Sequence, residues 1–279
     1  MIVLYIIMGI FAVAVILALW RKEPENADER NPYIDKSVSS GTVSIDGDKL
    51  PEDMWFYVAL LHETMRPLRK TGLYERVIKR ILDIIISFIA LLVLSPLYLI
   101  ISIAVFIDDP GRVFFTQRRI GKGKTYFAMH KFRTMKRSAP HNTPTHLLED
   151  PERYITRVGK LLRKTSLDEI PQVWDIFRGR MSIVGPRPAL WNQADLVALR
   201  ESWGANDIKP GLTGWAQVNG RDELELDIKA RLDGEYVEKV SFGFDVKCLV
   251  KTVFSVAKAE GVVEGERKQA EESHKDKQI

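Results

Sequence analysis

The stretch LLRKTSLDEIPQ, Leu161 to Gln172, sets two adjacent carboxylates, Asp168 and Glu169, between a serine and a proline, with Arg163 and Lys164 just upstream. Paired ionised carboxylates can attack an electrophile or hold a divalent cation. They can also be the punctuation of a helix start. Ser166-Leu167-Asp168-Glu169 matches a capping box, with Ser166 as N-cap and Glu169 reaching back. Pro171 weighs against that, because it would fall at the fifth helical position, where its missing N–H removes an intrahelical bond. Ile170, preceding a proline, is also pushed out of helical geometry. A helix that starts nearer Pro171 and runs through QVWDIF fits better. The dyad then lies at its mouth, where outward N–H groups favour anions and would keep both carboxylates ionised. From these residues alone, both readings stay open.

Cations surround the dyad in sequence. RYITRVGKLLRK has apolar residues at Ile155, Val158, Leu161 and Leu162, a helical spacing that delivers Arg163 about one turn ahead of the dyad. Downstream, MSIVGPRPAL reads as a short strand that breaks into Gly185-Pro186-Arg187-Pro188. The flanking prolines stiffen the backbone, so the Arg187 fork is offered to an anion with little entropy left to lose. KPGLTGWAQVNGR reads as a strand bracketed by glycine turns and ends in Arg221. Between Arg112 and Arg137 lie nine Lys/Arg and no Asp or Glu, a block suited to phosphates, acidic lipid or nucleic acid. Within it, IGKGKT ends like a P-loop but has Arg118 where that motif needs glycine. It is expected to be the turn of a hairpin joining RVFFTQRRI and TYFAMHKF. Phe114, Phe115, Tyr126, Phe127 and Phe132 are expected in the core, which leaves lipid head groups or a phosphorylated substrate as partners ahead of nucleic acid.

The chain that must position these groups has 279 residues, 46% hydrophobic and 28% charged, the composition of a globular protein. A single cysteine, Cys248, excludes an internal disulfide framework and is expected to be packing. The histidines lack metal-ligand spacing, and Asp46-Gly47-Asp48 sits in a polar stretch as a turn. Met1 to Trp20 carries no charge and is followed by Arg21 and Lys22. It would span ~30 Å as a helix and reads as a transmembrane anchor with residue 21 onward in the cytoplasm. A second apolar tract, Ile81 to Ile107, has basic residues at both ends, so both flanks are expected on the cytoplasmic side. Ser95-Pro96 near its middle can break it into halves too short to span. A re-entrant hairpin is therefore expected, with a kinked ordinary crossing as the alternative. Residues 21–75 read as a linker with a possible interfacial helix in MWFYVALLHETMRPLRK, 76–107 as the re-entrant helix, 108–260 as the cytoplasmic catalytic domain, and 261–279 as a mobile charged tail.

Five segments together resemble one family. KRILDIIISFIALLVLSPLYLI, FFTQRRIGKGKTYFAMHKFRTM, LRKTSLDEIPQVWDIFRGRMSIVGPRPAL, KPGLTGWAQVNGR and LDGEYV run in family order from about Lys79 to about Thr252. The chain is similar to the bacterial sugar transferases, the monotopic polyprenyl-phosphate phosphoglycosyl transferases. The resemblance implies an α+β membrane protein, in which a small, mostly helical cytoplasmic domain with a short β-hairpin follows the re-entrant helix. It implies transfer of a sugar-1-phosphate from a UDP-sugar to undecaprenyl phosphate at the bacterial inner membrane, with UMP leaving and Mg²⁺ required. Asp168 would be the nucleophile of a covalent intermediate and Glu169 the Mg²⁺ ligand. Lys131, Arg163 and Arg187 would neutralise phosphate charge, Arg221 would contact phosphate, and Asp233 would be a further active-site position. After Asn219-Gly220-Arg221 the family usually continues with Asn and then a Trp, whereas this chain has Asp222-Glu223-Leu224. The rival to an enzyme is a membrane-tethered adaptor that recruits other glycan-assembly proteins; on either reading a second copy of the chain is a candidate partner.

Overall fold

A computed structural model of the chain describes residues 71–139, 151–220 and 224–257. The expected anchor (1–20), nearly all of the linker, the charged tail (261–279), Asp46-Gly47-Asp48 and Arg221 lie outside the described residues.

The second apolar tract forms two helices. A π-helical turn, Tyr74–Ile78, runs into α1 (Lys79–Val93), and α2 (Ser95–Asp108) follows beyond Leu94. Among the described residues no single helix is long and apolar enough to cross a membrane. The pair Tyr74–Val93 and Ser95–Asp108 qualifies only together, and it is bent by 60°. The break falls where Ser95-Pro96 was expected to make it. Pro96 sits in the first turn of α2, where a missing N–H costs least, and Ser95 Oγ donates to Leu92 O at 2.7 Å. The inside of α1 is polar: Asp83 and Ser87 are buried, while Ile81, Ile85, Phe88 and Ile89 are exposed. On α2, Tyr98, Ile101 and Val105 pack inward, and Ile100, Ile103, Phe106 and Ile107 face out. A water-soluble helix turns its apolar face inward and its polar face out, the reverse of α1, and α2 is apolar on both faces.

The glycine-rich turn joins β1 (Phe114–Ile120) to β2 (Tyr126–Phe132) as an antiparallel hairpin, Phe114 opposite Phe132 and Ile120 opposite Tyr126. Gly123 takes the positive φ of 65° that the turn requires. Phe127, Met129 and Phe132 of β2 are buried, Phe132 against Tyr98 and Leu162, the other two against Ile176 and Met181. After the short α3 (Pro151–Tyr154) come α4 (Arg157–Thr165) and α5 (Gln172–Phe177).

A second, parallel pair joins β3 (Ser182–Val184) to β4 (Gly211–Thr213), and α6 (Ala194–Trp203) makes the crossover that parallel strands need. The strands and their loops approach backbone to backbone. A Cβ on Gly211 would stand 2.1 Å from Gly185 N, and one on Gly214 would stand 2.0 Å from Gly185 O. Two further helices, α7 (Leu226–Lys239) and α8 (Phe242–Ala257), close this side around Val184, Trp215, Tyr236, Val237 and Cys248. Cys248 is a free, fully buried thiol, as expected. The molecule is thus a small mixed α/β domain with short sheets.

Candidate active site

The dyad sits where one helix has ended and the next has not begun. Thr156 caps α4 by accepting from Gly159 N at 2.9 Å, and Gly159 lets the helix lie directly on Thr134, whose carbonyl a Cβ would meet at 2.1 Å. The helix ends at Ser166 in the left-handed conformation, φ 56°. Ser166 is therefore a C-terminal cap, and the capping-box reading falls. Leu167–Glu169 form one 3-10 turn, and Pro171 caps α5. Leu161, expected on the inner face of α4, is exposed, while Leu162 is buried.

Both apolar helices grip α5. Arg80 of α1 donates to Ile176 O at 2.7 Å and Phe177 O at 2.8 Å, satisfying carbonyls that the helix end leaves open. Tyr98 of α2 donates to Ile170 O at 2.6 Å, just before Pro171. Asp83 of α1 accepts from Ser182 Oγ at 3.1 Å and Ile183 N at 3.0 Å, which ties the same helix to β3. On the far side of α5, Asp175 takes the backbone N–H of His130 at 2.9 Å and its ring Nδ1 at 2.7 Å. That buried pair fixes β2, and with it Lys131, against the dyad segment.

Lys131 Nζ reaches Glu169 Oε1 at 2.8 Å and lies 4.0 Å from Asp168 Oδ2. Arg187 Nη2 meets the same Glu169 oxygen at 2.9 Å. Arg163 Nε donates to Thr134 Oγ1 at 2.9 Å, and its charge is felt at Asp168. The two carboxyls are tuned apart. Burial alone would push Glu169 up, but the charges of Arg187 and Lys131, with their hydrogen bonds, outweigh it and hold the carboxyl well below the usual range. Asp168 is pushed up to about 6, chiefly by burial; Lys131 pulls it down, Glu169 pushes it up and Arg163 pulls it down. The cause expected for the charge of the dyad, a helix mouth, needs correction. Lys131 and Arg187 fix the charge of Glu169, and Asp168 is a desolvated carboxyl that is mostly ionised at neutral pH.

The fold thus brings together Asp168, Glu169, Lys131, Arg187 and, at the edge, Arg163. Asp233 stands elsewhere, on α7, where its Oδ2 accepts from Arg200 Nε at 2.8 Å and Nη2 at 2.5 Å. Residues unforeseen in the sequence are the supports: Arg80, Asp83, Tyr98, His130 and Asp175. Asp83 had a signal, a lone carboxylate inside an apolar tract. Tyr98 and His130 had none. Among the described residues no three or more His, Cys, Asp or Glu cluster as a metal site. A divalent cation here would depend on the dyad and on oxygens brought by a ligand.

Two adjacent carboxylates amid fixed cations can meet phosphate oxygens or a divalent cation. The family model described as bacterial sugar transferase matches residues 74–259. The chain belongs to the bacterial sugar transferase family. Over 190 residues it is 42% identical to the UDP-glucose:undecaprenyl-phosphate glucose-1-phosphate transferase of Xanthomonas campestris pv. campestris, covering 66% of this chain and 39% of that protein. To the protein of the same name from Escherichia coli K12 it is 39% identical, covering 67% of this chain and 42% of that one. It is 37% identical to the uncharacterized sugar transferase EpsL of Bacillus subtilis, covering 67% of this chain and 90% of that protein. The chain thus spans about two fifths of the first two relatives and nearly all of the third.

Proposed function

We propose that the protein transfers a sugar-1-phosphate from a UDP-sugar to undecaprenyl phosphate. The observation that carries this is the unequal dyad: Glu169 held ionised between Lys131 and Arg187, beside Asp168, which burial has made a more basic carboxylate. A desolvated carboxylate is a competent nucleophile, and covalent transfer divides one hard step into two. In the first step an Asp168 oxygen bonds to the β-phosphorus of the UDP-sugar. The bond from that phosphorus to the bridging oxygen breaks, and UMP leaves with the electron pair. In the second, an oxygen of undecaprenyl phosphate attacks the same phosphorus and releases the Asp168 carboxylate. The product is an undecaprenyl diphosphate sugar. Lys131, Arg163 and Arg187 neutralise the charge that builds on the phosphoryl oxygens.

The donor set fits Mg²⁺, which takes one or two carboxylates and completes its shell with water and substrate phosphate. Glu169 would hold it, with Asp168 adjacent. Bound there, the ion would offset diphosphate charge.

The exposed isoleucines of α1 and α2 and the 60° bend support a hairpin that dips into one leaflet and returns. Lipid phosphate and soluble nucleotide then meet the site at one depth, on the cytoplasmic face of the bacterial inner membrane. Arg221 would add a phosphate contact. The relatives named for glucose and for N-acetylgalactosamine transfer show that the sugar varies across the family.

The test is UMP release by the detergent-solubilised chain with Mg²⁺, undecaprenyl phosphate and a panel of UDP-sugars. Release with one sugar, a phosphosugar adduct by intact mass, and loss of both in Asp168→Asn are expected. No release from any sugar would favour the membrane-tethered adaptor.

A further inference from the structure

We infer that the buried Asp233–Arg200 pair is a positioning device that sets the Pro186-Arg187-Pro188 loop and, through it, the place of Arg187 against Glu169. The inference rests on the transfer reaction proposed above. Both members are almost wholly enclosed, Asp233 at 1% and Arg200 at 4% exposure. One Asp233 oxygen takes two guanidinium N–H groups, a pairing that fixes the plane of the fork. Arg200 then lines a small cavity, about 10 Å³, together with both prolines that flank Arg187 and with Gly121, Asn206 and Pro210.

The carbonyls of the rest of the loop are held from its other sides. Gly211 N donates to Pro186 O at 2.8 Å, Arg119 Nη1 to Pro188 O at 2.9 Å, and Ile120 N to Ala189 O at 3.0 Å. Ala189 packs on Leu196, Val197 and Ala230, so α6 and α7 form the floor of the loop. Those two helices have another reason to stay together. Gly234 lies so close to Trp203 that a Cβ would come within 2.6 Å of its side chain. The ion pair is therefore not needed merely to join the helices. A buried pair adds little net stability over an apolar pair of the same shape, while its geometry is exacting. What its geometry controls here is the base of the loop whose tip carries Arg187, and Arg187 ends on Glu169 at 2.9 Å.

The test uses the full chain with Asp233→Asn, and Arg200→Lys as a second variant should the first fail to fold. Thermal unfolding establishes that each is folded. Two readouts follow: steady-state UMP release, and hydrogen exchange of peptides covering residues 183–191. Expected are at least about a tenfold fall in kcat with KM for the UDP-sugar within about threefold, the signature of an interaction used in the transition state. In an Arg187→Gln background the further loss should shrink to within about twofold, since the loop then has no charge left to place. Exchange across 183–191 should quicken about tenfold while that of 95–108 is unchanged. Losses that multiply with Arg187→Gln, or unaltered exchange in 183–191, overturn the inference. If the native chain releases no UMP from any sugar, the transfer reaction fails, and exchange alone decides the positioning role.

Discussion

Arg187 reaches Glu169 across 18 positions of sequence and binds the oxygen that Lys131 also holds, at 2.9 Å and 2.8 Å. One carboxylate oxygen shared by two cations from different elements makes Glu169 the fixed point of the site. The other oxygen is 3.5 Å from Arg187 Nη1 and remains the freer one for a cation.

Arg187→Gln removes a charged partner of Glu169. UMP release should fall about 100-fold in kcat, the usual cost of one donor in a preorganised site. Arg187→Lys should recover part of it, because the charge returns without the fork. Steady-state kinetics with the preferred UDP-sugar checks this.

Asp168→Asn should abolish transfer and stabilise the fold at neutral pH. The Asp168 pKa is raised from 3.8 to about 6, so the folded state favours the protonated carboxyl. The stabilising contribution of that proton is complete below the unfolded pKa and is lost as pH rises through 6. Asparagine does not titrate. The variant's advantage should therefore be small at pH 4 and reach about 1–3 kcal/mol at pH 7.5. Thermal unfolding across that range, without divalent ion, measures it; an advantage that did not grow with pH would refute the burial of Asp168.

Asp83→Ala removes the acceptor of two hydrogen bonds and leaves Ser182 Oγ and the Ile183 N–H without that partner. A loss of about 2–4 kcal/mol is expected, and Asp83→Asn, which keeps an acceptor, should cost less. Because α1 also carries Arg80, UMP release should fall with stability in the alanine variant.

The hairpin topology has a direct measurement. Cysteines at positions 30 and 140 should react with an impermeant thiol reagent from the same side of sealed vesicles. The native Cys248 stays silent in the folded protein, being fully buried, with burial the main cause that pushes its thiol up to about 11. Labelling from opposite sides would replace the hairpin with a crossing.

The sequence by itself determined the local features whose causes are local. The hairpin at Gly123, the break at Ser95-Pro96, the helix start at Pro171 and the family motifs all depend on neighbouring residues, because turn chemistry and proline act within a few positions. The expectation that the dyad precedes the helix running through QVWDIF came from the same source. Only the tertiary structure decided which groups touch. It chose Lys131 and Arg187 for Glu169, raised Asp168 by burying it, turned Ser166 into a C-terminal cap, and gave Asp233 to Arg200. Each of those outcomes depends on side chains distant in the chain meeting in a medium from which water has been excluded. Neither burial nor a pairing of that kind can be read from the order of residues along one segment.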